Sequence, residues 1–340
     1  MNSHAHDSVH ELTARVVEEQ RGSYRLLSEE TEYLAEVAGR LRHRAGGRAG
    51  LPAVGDWVRA VTGAGRAVIH AVLPRWSRIS RAAAGDQTEE QVLAANVDTA
   101  FIVTSLNLDL NPRRLERYVT LARDGGVTPV ILLTKSDLCS DPETVVTDVA
   151  AATPGVAVHA MSVWLGRGLG ALTHYLAPGK TCVLLGSSGA GKSTIVNHLL
   201  GAEVLRVSQV RESDGRGRHT TTHREMLCLP GGAFLIDTPG LREIQLWNGD
   251  EDGVLEQAFG DIASLATSCR FKDCKHQTEP GCAVKAAVAE GTLDPGRLAS
   301  HVKLQRELAF LERKQEKRAW AEHKKKYQEV NLAKGTQRYR

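Results

Sequence analysis

The sequence has no apolar run approaching the roughly 18 residues that a membrane-spanning helix requires. Its first residues, Met1-Asn2-Ser3-His4-Ala5-His6-Asp7, lack the basic and apolar regions of a secretory signal. Cytoplasmic residence with no membrane partner is the expectation. No internal repeat is visible, so nothing points to a repeat array. Strong net charge is missing too: 43 Lys and Arg against 40 Asp and Glu leave +3. The chain as a whole is therefore no polycation. Cysteines spread through a short chain would mark a secreted disulfide framework, and that pattern is also absent. Of the six cysteines, Cys139, Cys182 and Cys228 stand alone, whereas Cys269, Cys274 and Cys282 cluster with His276.

The 340 residues allow two or three domains. Residues 1–80 read as a small β-barrel. Short alternating runs such as Thr13-Ala14-Arg15-Val16-Val17 and Asp56-Trp57-Val58-Arg59-Ala60-Val61 are punctuated by Gly46-Gly47 and Leu51-Pro52. The pattern is compatible with an OB-fold without selecting it. Residues 81–248 alternate strands and helices. Near-continuous apolar strands are expected at Ala100–Thr104, Val130–Leu133, Cys182–Leu185 and Ala233–Ile236, with a helix from Pro112 to Arg123. Such strands imply a parallel sheet covered on both faces. Residues 249–340 hold the Cys/His cluster and a basic, helix-like tail, with Leu298, Val302 and Leu308 as its candidate buried positions. The tail beyond Arg313, and a second patch from Arg40 to Arg48, could contact a phosphate backbone or simply face solvent.

Cys182-Val183-Leu184-Leu185 runs into Gly186-Ser187-Ser188-Gly189-Ala190-Gly191-Lys192-Ser193, then Thr194-Ile195-Val196. Strand, glycine-rich loop and helix are the context a phosphate-binding loop needs. Glycines let backbone N–H groups turn toward phosphate oxygens, and the helix N-terminus adds its positive end. Lys192 is expected on the outer phosphates and the Ser193 hydroxyl on Mg²⁺. Further on, Phe234-Leu235-Ile236-Asp237-Thr238-Pro239-Gly240 puts a carboxylate just past a buried strand. Asp237 is placed to hold Mg²⁺ through water, and the Gly240 N–H to sense the γ-phosphate.

The strand Val130–Leu133 ends in Thr134-Lys135-Ser136-Asp137. This resembles the Asn-Lys-x-Asp element of GTPases, in which the Asp accepts hydrogen bonds from guanine N1–H and the exocyclic amine. Adenine offers no matching donors. Lys135 is expected over the base plane. Asn is usual where Thr134 stands, and a threonine supplies fewer bonds, so weaker guanine affinity is expected. Ser162, in Ala160-Met161-Ser162-Val163, sits where such proteins place a loop that reads guanine O6. Asp137 precedes Lys192, the reverse of the ordinary order, so the domain reads as a circularly permuted GTPase. Packing depends on which elements touch, not on where the termini fall.

Many GTPases place a Gln directly after the Asp-x-x-Gly element to orient the attacking water. Here Leu241 stands there and cannot hydrogen-bond. His219, in Arg218-His219-Thr220-Thr221-Thr222, is the candidate replacement, and the threonine run resembles a first switch with Thr221 on Mg²⁺. The catalytic set is thus Lys192, His219 and Thr221. Cys269, Cys274, His276 and Cys282 supply three thiolates and one imidazole, a closed set suited to one structural Zn²⁺.

Taken together, Gly186–Thr194, Arg218–Thr222 and Cys269–His276 with Glu279-Pro280-Gly281-Cys282 resemble the RsgA family of ribosome small-subunit-dependent GTPases. The resemblance covers nearly the whole chain. It implies an N-terminal OB-fold, a permuted GTPase domain, a zinc module, and GTP hydrolysis coupled to late maturation of the 30S subunit and stimulated by it. The implied partners are GTP or GDP and 16S rRNA in the 30S subunit, engaged by a monomer. Two other readings stand beside it. One is a nucleotide-regulated RNA-binding scaffold with weak or no hydrolysis, for which Thr134 and Leu241 speak. The other is an ATPase or kinase using the same phosphate loop, against which Asp137 speaks.

Overall fold

The computed structural model describes residues 10–20, 22–29, 31–63, 66–83, 86–106, 110–187, 189–202, 224–237 and 259–306, with positions 309, 310, 313, 317 and 320. Ser188, His219, Thr221 and Gly240 lie outside the described residues, and Asp237 is described in its backbone only.

The N-terminal strands are β1 (His10–Gln20), β2 (Ser23–Ser28), β3 (Thr31–Val37), β4 (Trp57–Gly63) and β5 (Arg66–Val72). They pair in the order β1-β2-β3-β5-β4, and β4 returns to β1, which closes a five-stranded barrel. The β3–β5 contact is parallel and the others are antiparallel. Helix α1 (Gly39–Arg44) bridges β3 and β4, giving the OB-fold connectivity. Alternation fills the interior: Ala14, Val16, Leu26, Val58, Ala60 and Ile69 point inward. The basic helix α1 has no buried residue, so the Arg40–Arg44 patch lies on the barrel's surface. A hairpin of β6 (Arg78–Ala83) and β7 (Asp86–Ala95) follows as a separate sheet.

The central sheet comprises β8 (Thr99–Ser105), β9 (Thr128–Thr134), β10 (Ala157–Ala160), β11 (Thr181–Gly186), β12 (Arg224–Cys228) and β13 (Phe234–Asp237). Its order is β10-β9-β8-β11-β13-β12, parallel except for β12. Every residue of β8 and β11 is buried, as the apolar runs predict for strands covered on both faces. Alternate side chains feed two cores. Ile102, Ile131, Leu133, Val183 and Ile236 face α2 (Pro112–Asp124) and α3 (Pro142–Ala152). Phe101, Val103, Val130, Leu132 and Leu184 face α4 (Gly170–Thr173) and α5 (Lys192–Leu200). Local chemistry starts the helices. Asn111 and Asp141 cap α2 and α3 by accepting from Arg114 N and Thr144 N, each with Pro in the first turn.

The C-terminal module contains α6 (Gly260–Ala266), α7 (Ala283–Ala289) and a helix over 295–306. It shares the core of the α2/α3 face through Phe259, Ile262, Val284 and Leu304. Within the last helix the buried residues are Arg297, Ser300, His301 and Leu304. The expected Leu298 and Val302 are half-buried, and Leu308 lies outside the described residues. The reason is Arg297. Its guanidinium donates to Asp261 at 2.6 and 2.8 Å, to Glu116 on α2 at 3.0 Å and to the Ala152 carbonyl on α3 at 2.6 Å, over the Phe259 ring. A charge so fully partnered tolerates burial, and it latches the module to the GTPase domain.

Candidate nucleotide site and metal centre

All five parallel strands end at one edge of the sheet, and the sequence-predicted residues follow those ends. Thr134 closes β9, Ser162 follows β10, Gly186 closes β11 and Asp237 closes β13. The chain steps outward from β8 to β9 to β10, then returns to place β11 on the other side of β8. That reversal is a topological switch point, and ligands of open α/β sheets bind in the crevice beyond it.

On one side of the crevice stands the glycine loop. Gly186 has φ 146°, and a Cβ there would come within 2.2 Å of the Val103 carbonyl oxygen. Only glycine lets β11 leave the sheet at that point. Lys192 opens α5 and is buried, its ammonium donating to the carbonyls of Gly186 at 2.8 Å and Ser187 at 2.7 Å. Ser193 and Thr194 follow in the first turn, half-buried, where helix N–H groups lack intrahelical partners.

On the other side stands the β9 end, and the two sides touch. The Thr134 hydroxyl donates to the Ala190 carbonyl at 2.6 Å, and the Lys135 ammonium to the Gly189 carbonyl at 2.8 Å. Gly191 lies beside Thr134 at φ 97°, a left-handed backbone that glycine adopts without strain. Lys135 itself adopts a left-handed backbone (φ 56°), which turns the chain sharply into a short 3-10 turn holding Ser136 and Asp137. Asp137 is exposed, free to accept from a ligand. Ser136 N donates to the Met161 carbonyl at 3.1 Å, which ties this turn to the next loop. In that loop Ser162 is buried; its N–H and carbonyl both bond Arg167, and its hydroxyl accepts from Leu165 N at 3.2 Å. Exposed Trp164 and Leu165 crown this hairpin.

Sequence order is therefore inverted while spatial order is that of a nucleotide-binding sheet. The RsgA GTPase family model matches residues 72–247. The chain belongs to the RsgA GTPase family. That makes it a GTPase, a hydrolase acting on GTP. The small ribosomal subunit biogenesis GTPase RsgA of Opitutus terrae is 51% identical over 313 residues, spanning 89% of this chain and 85% of that protein. RsgA 1 of Oceanobacillus iheyensis is 44% identical over 329 residues, 96% of this chain and 93% of its own. Among solved structures, YjeQ from Thermotoga maritima superposes with a TM-score of 0.63 at 26% identity, over 88% of this chain and 99% of that one. YloQ, described as a circularly permuted GTPase, shares the fold with a TM-score of 0.60 at 24% identity, over 91% and 98%.

The candidate metal centre lies in the C-terminal module. The ligand atoms of Cys269, Cys274, His276 and Cys282 lie within 4.8 Å of one another. Cys269 Sγ is 3.9 Å from Cys282 Sγ, and His276 Nδ1 is 3.4 Å from Cys282 Sγ and 3.7 Å from Cys269 Sγ. Ligands about 2.0–2.3 Å from a zinc ion stand roughly 3.5–3.8 Å apart along the edges of a tetrahedron. The cluster fits a structural zinc site, with Nδ1 as the imidazole donor. Cys282 caps α7 and accepts from Lys285 N at 3.4 Å, so one ligand also starts the helix.

Sequence reasoning assigned no role to Glu279. Its carboxylate accepts from the backbone N–H groups of Lys275, Gln277 and Thr278 at 2.8–3.1 Å. A bond from its own backbone N–H, with these three, holds its pKa down at about 2, and together they shape the loop between His276 and Cys282. Arg15 was missed as well. It leaves barrel strand β1, is 5% exposed, and donates to Thr181 Oγ1 at 2.7 Å while lying over the Phe234 ring. Only the folded chain brings Thr181 and Phe234 to it.

Proposed function

We propose that the chain binds GTP across the crevice between Asp137 and the Gly186–Thr194 loop and hydrolyses it to GDP and phosphate. The observation carrying this is the Thr134–Ala190 hydrogen bond at 2.6 Å, which holds the base reader against the phosphate loop. In this reading Asp137 accepts from guanine N1–H and its amine, Lys135 covers the base, and the Ser162 loop offers backbone N–H to O6. Backbone N–H groups from Gly186 to Thr194, including Ser188, cradle the phosphates. Lys192 exchanges its carbonyl contacts for the outer phosphate oxygens. The hydroxyls of Ser193 and Thr221, and the Asp237 carboxylate through water, would hold Mg²⁺, which would neutralise charge on the β- and γ-phosphates. Gly240 N–H bonds the γ-phosphate. His219 orients the water; its oxygen bonds the γ-phosphorus as the bridging β–γ oxygen leaves with GDP.

The relatives are named for small ribosomal subunit biogenesis. We carry that role to this chain, as a cytoplasmic monomer that matures the 30S subunit and binds 16S rRNA through the barrel, the zinc module and the basic tail. No helix among the described residues is long and apolar enough to cross a membrane. Turnover measured with and without purified small subunits tests the proposal. Stimulation that Lys192→Ala abolishes is expected. Equal rates with and without subunits would overturn it.

A further inference from the structure

The central sheet does not end at its own last strand. Beyond β12 it continues into the barrel, where β1 pairs antiparallel with β12 through Glu18↔Glu225 and Glu19↔Arg224. An ion pair reinforces this two-rung ladder: Arg224 Nη1 lies 3.1 Å from Glu19 Oε2, with side chains 18% and 27% exposed.

The same row runs on across the sheet. Glu225 is also the register partner of Asp237 on β13, and Asp237 is the partner of Leu184 on β11, two residues before Gly186. Glu18 of the barrel and Asp237 of the nucleotide edge thus flank one residue, Glu225. In the sequence, Arg224 stands two residues past Thr222, at the end of the threonine run.

The barrel has a second attachment of different character. Arg15 bonds Thr181 Oγ1 at 2.7 Å and covers Phe234, and these two residues are register partners at the starts of β11 and β13. That contact is buried, and Arg15 also donates to the Gly55 and Asn96 carbonyls, so it fixes the barrel to the far end of the sheet. The Glu19–Arg224 pair is part-exposed and only two rungs long. Both side chains keep some access to water, so this pair can change its geometry at a lower cost than the buried Arg15 contact. One rigid anchor and one yielding contact let force on the barrel appear at β12.

We propose that Glu19 and Arg224 are positioning residues which transmit docking of the barrel to the Asp237 end of β13 and so set stimulated turnover. The inference rests on the proposed GTP hydrolysis. The partner would be a phosphate-rich surface, which fits the exposed basic helix α1 of the same barrel. The ladder joins backbones, and the ion pair tunes its register. Reversing one charge sets like charges side by side, and reversing both restores attraction.

The test compares Glu19→Arg, Arg224→Glu, the double exchange, and the mild pair Glu19→Gln and Arg224→Gln, all in the full chain. GDP affinity, turnover alone, small-subunit affinity and turnover with saturating subunits are measured for each. Each single reversal is expected to keep GDP binding and unstimulated turnover while losing about tenfold in stimulated kcat. The double exchange recovers most of that loss, and the Gln variants fall between. Should a single reversal prevent folding, the Gln variants and the double exchange carry the comparison. Full stimulation in the single variants contradicts the link, as does a loss the double exchange does not repair. A loss that tracks weakened subunit affinity contradicts it too, assigning the residues to docking. Wild type that shows no stimulation contradicts the proposed function itself, and is distinguished by that control.

Discussion

The hydroxyl of Thr134 donates to the carbonyl of Ala190 across 2.6 Å, joining the end of β9 to the loop after β11. The sequence predicts fewer bonds at this position, where asparagine is usual in the GTPase element that Thr134–Asp137 resembles. The geometry shows that threonine nevertheless bonds the glycine loop directly.

Thr134→Val tests that brace with nearly unchanged volume. It removes the donor and leaves the Ala190 carbonyl without it. Leaving that buried carbonyl unpaired costs about 1–3 kcal/mol, which bounds the loss of GDP binding at roughly 5- to 160-fold. Thr134→Ser retains the hydroxyl and stays near wild type. Calorimetric titration with GDP checks both, and an unaltered Val variant would remove Thr134 from the site's support.

The glycine loop, the Thr134–Asp137 turn and the Cys/His cluster stood out in the sequence because each is a local pattern of special residue types. Strands β8, β9, β11 and β13 were legible because burial on both faces writes an apolar run. Arg15 and Arg297 were not. A basic residue in a strand or a polar helix reads as solvent-facing, yet both are about nine-tenths or more buried. Their partners, Thr181 for one and Glu116 with Asp261 for the other, are distant in sequence. Closure of the barrel through β1 and β4 is likewise a long-range pairing with no local signal.

The metal centre should behave as part of the fold. Purified protein is expected to carry one zinc per chain. A strong chelator, or Cys274→Ser, should lower the thermal midpoint and expose α7 to protease. Structural zinc supplies roughly 10 kcal/mol or more of apparent folding free energy in small modules. GDP should still bind, since the crevice draws on none of the four ligands. Metal analysis, melting curves and limited proteolysis check this; an unchanged melt after complete zinc removal would contradict it.

Alkaline stability should depend on Cys182. Burial, with Asp98 nearby, pushes its thiol from 9.0 up to about 12. Between those values the unfolded thiol has lost its proton and the folded one has not. The unfolded state then binds fewer protons, so stability is fully present below 9 and falls as pH rises toward 12. Cys182→Ala is expected to lower stability at neutral pH by leaving a small cavity, yet to flatten this alkaline slope. Urea midpoints from pH 8 to 11 give the comparison, and parallel slopes in the two proteins would refute the assignment.

The central claim is that Asp137 and the Gly186–Thr194 loop grip opposite ends of one guanine nucleotide. Affinities for GDP and xanthosine diphosphate, in wild type and Asp137→Asn, test it most directly. Xanthine replaces guanine's amine with a carbonyl, which an Asn amide can donate to and an Asp carboxylate repels. Wild type should favour GDP by at least about 100-fold, and Asp137→Asn should reverse the preference. The same preference for GDP in both proteins would contradict the account.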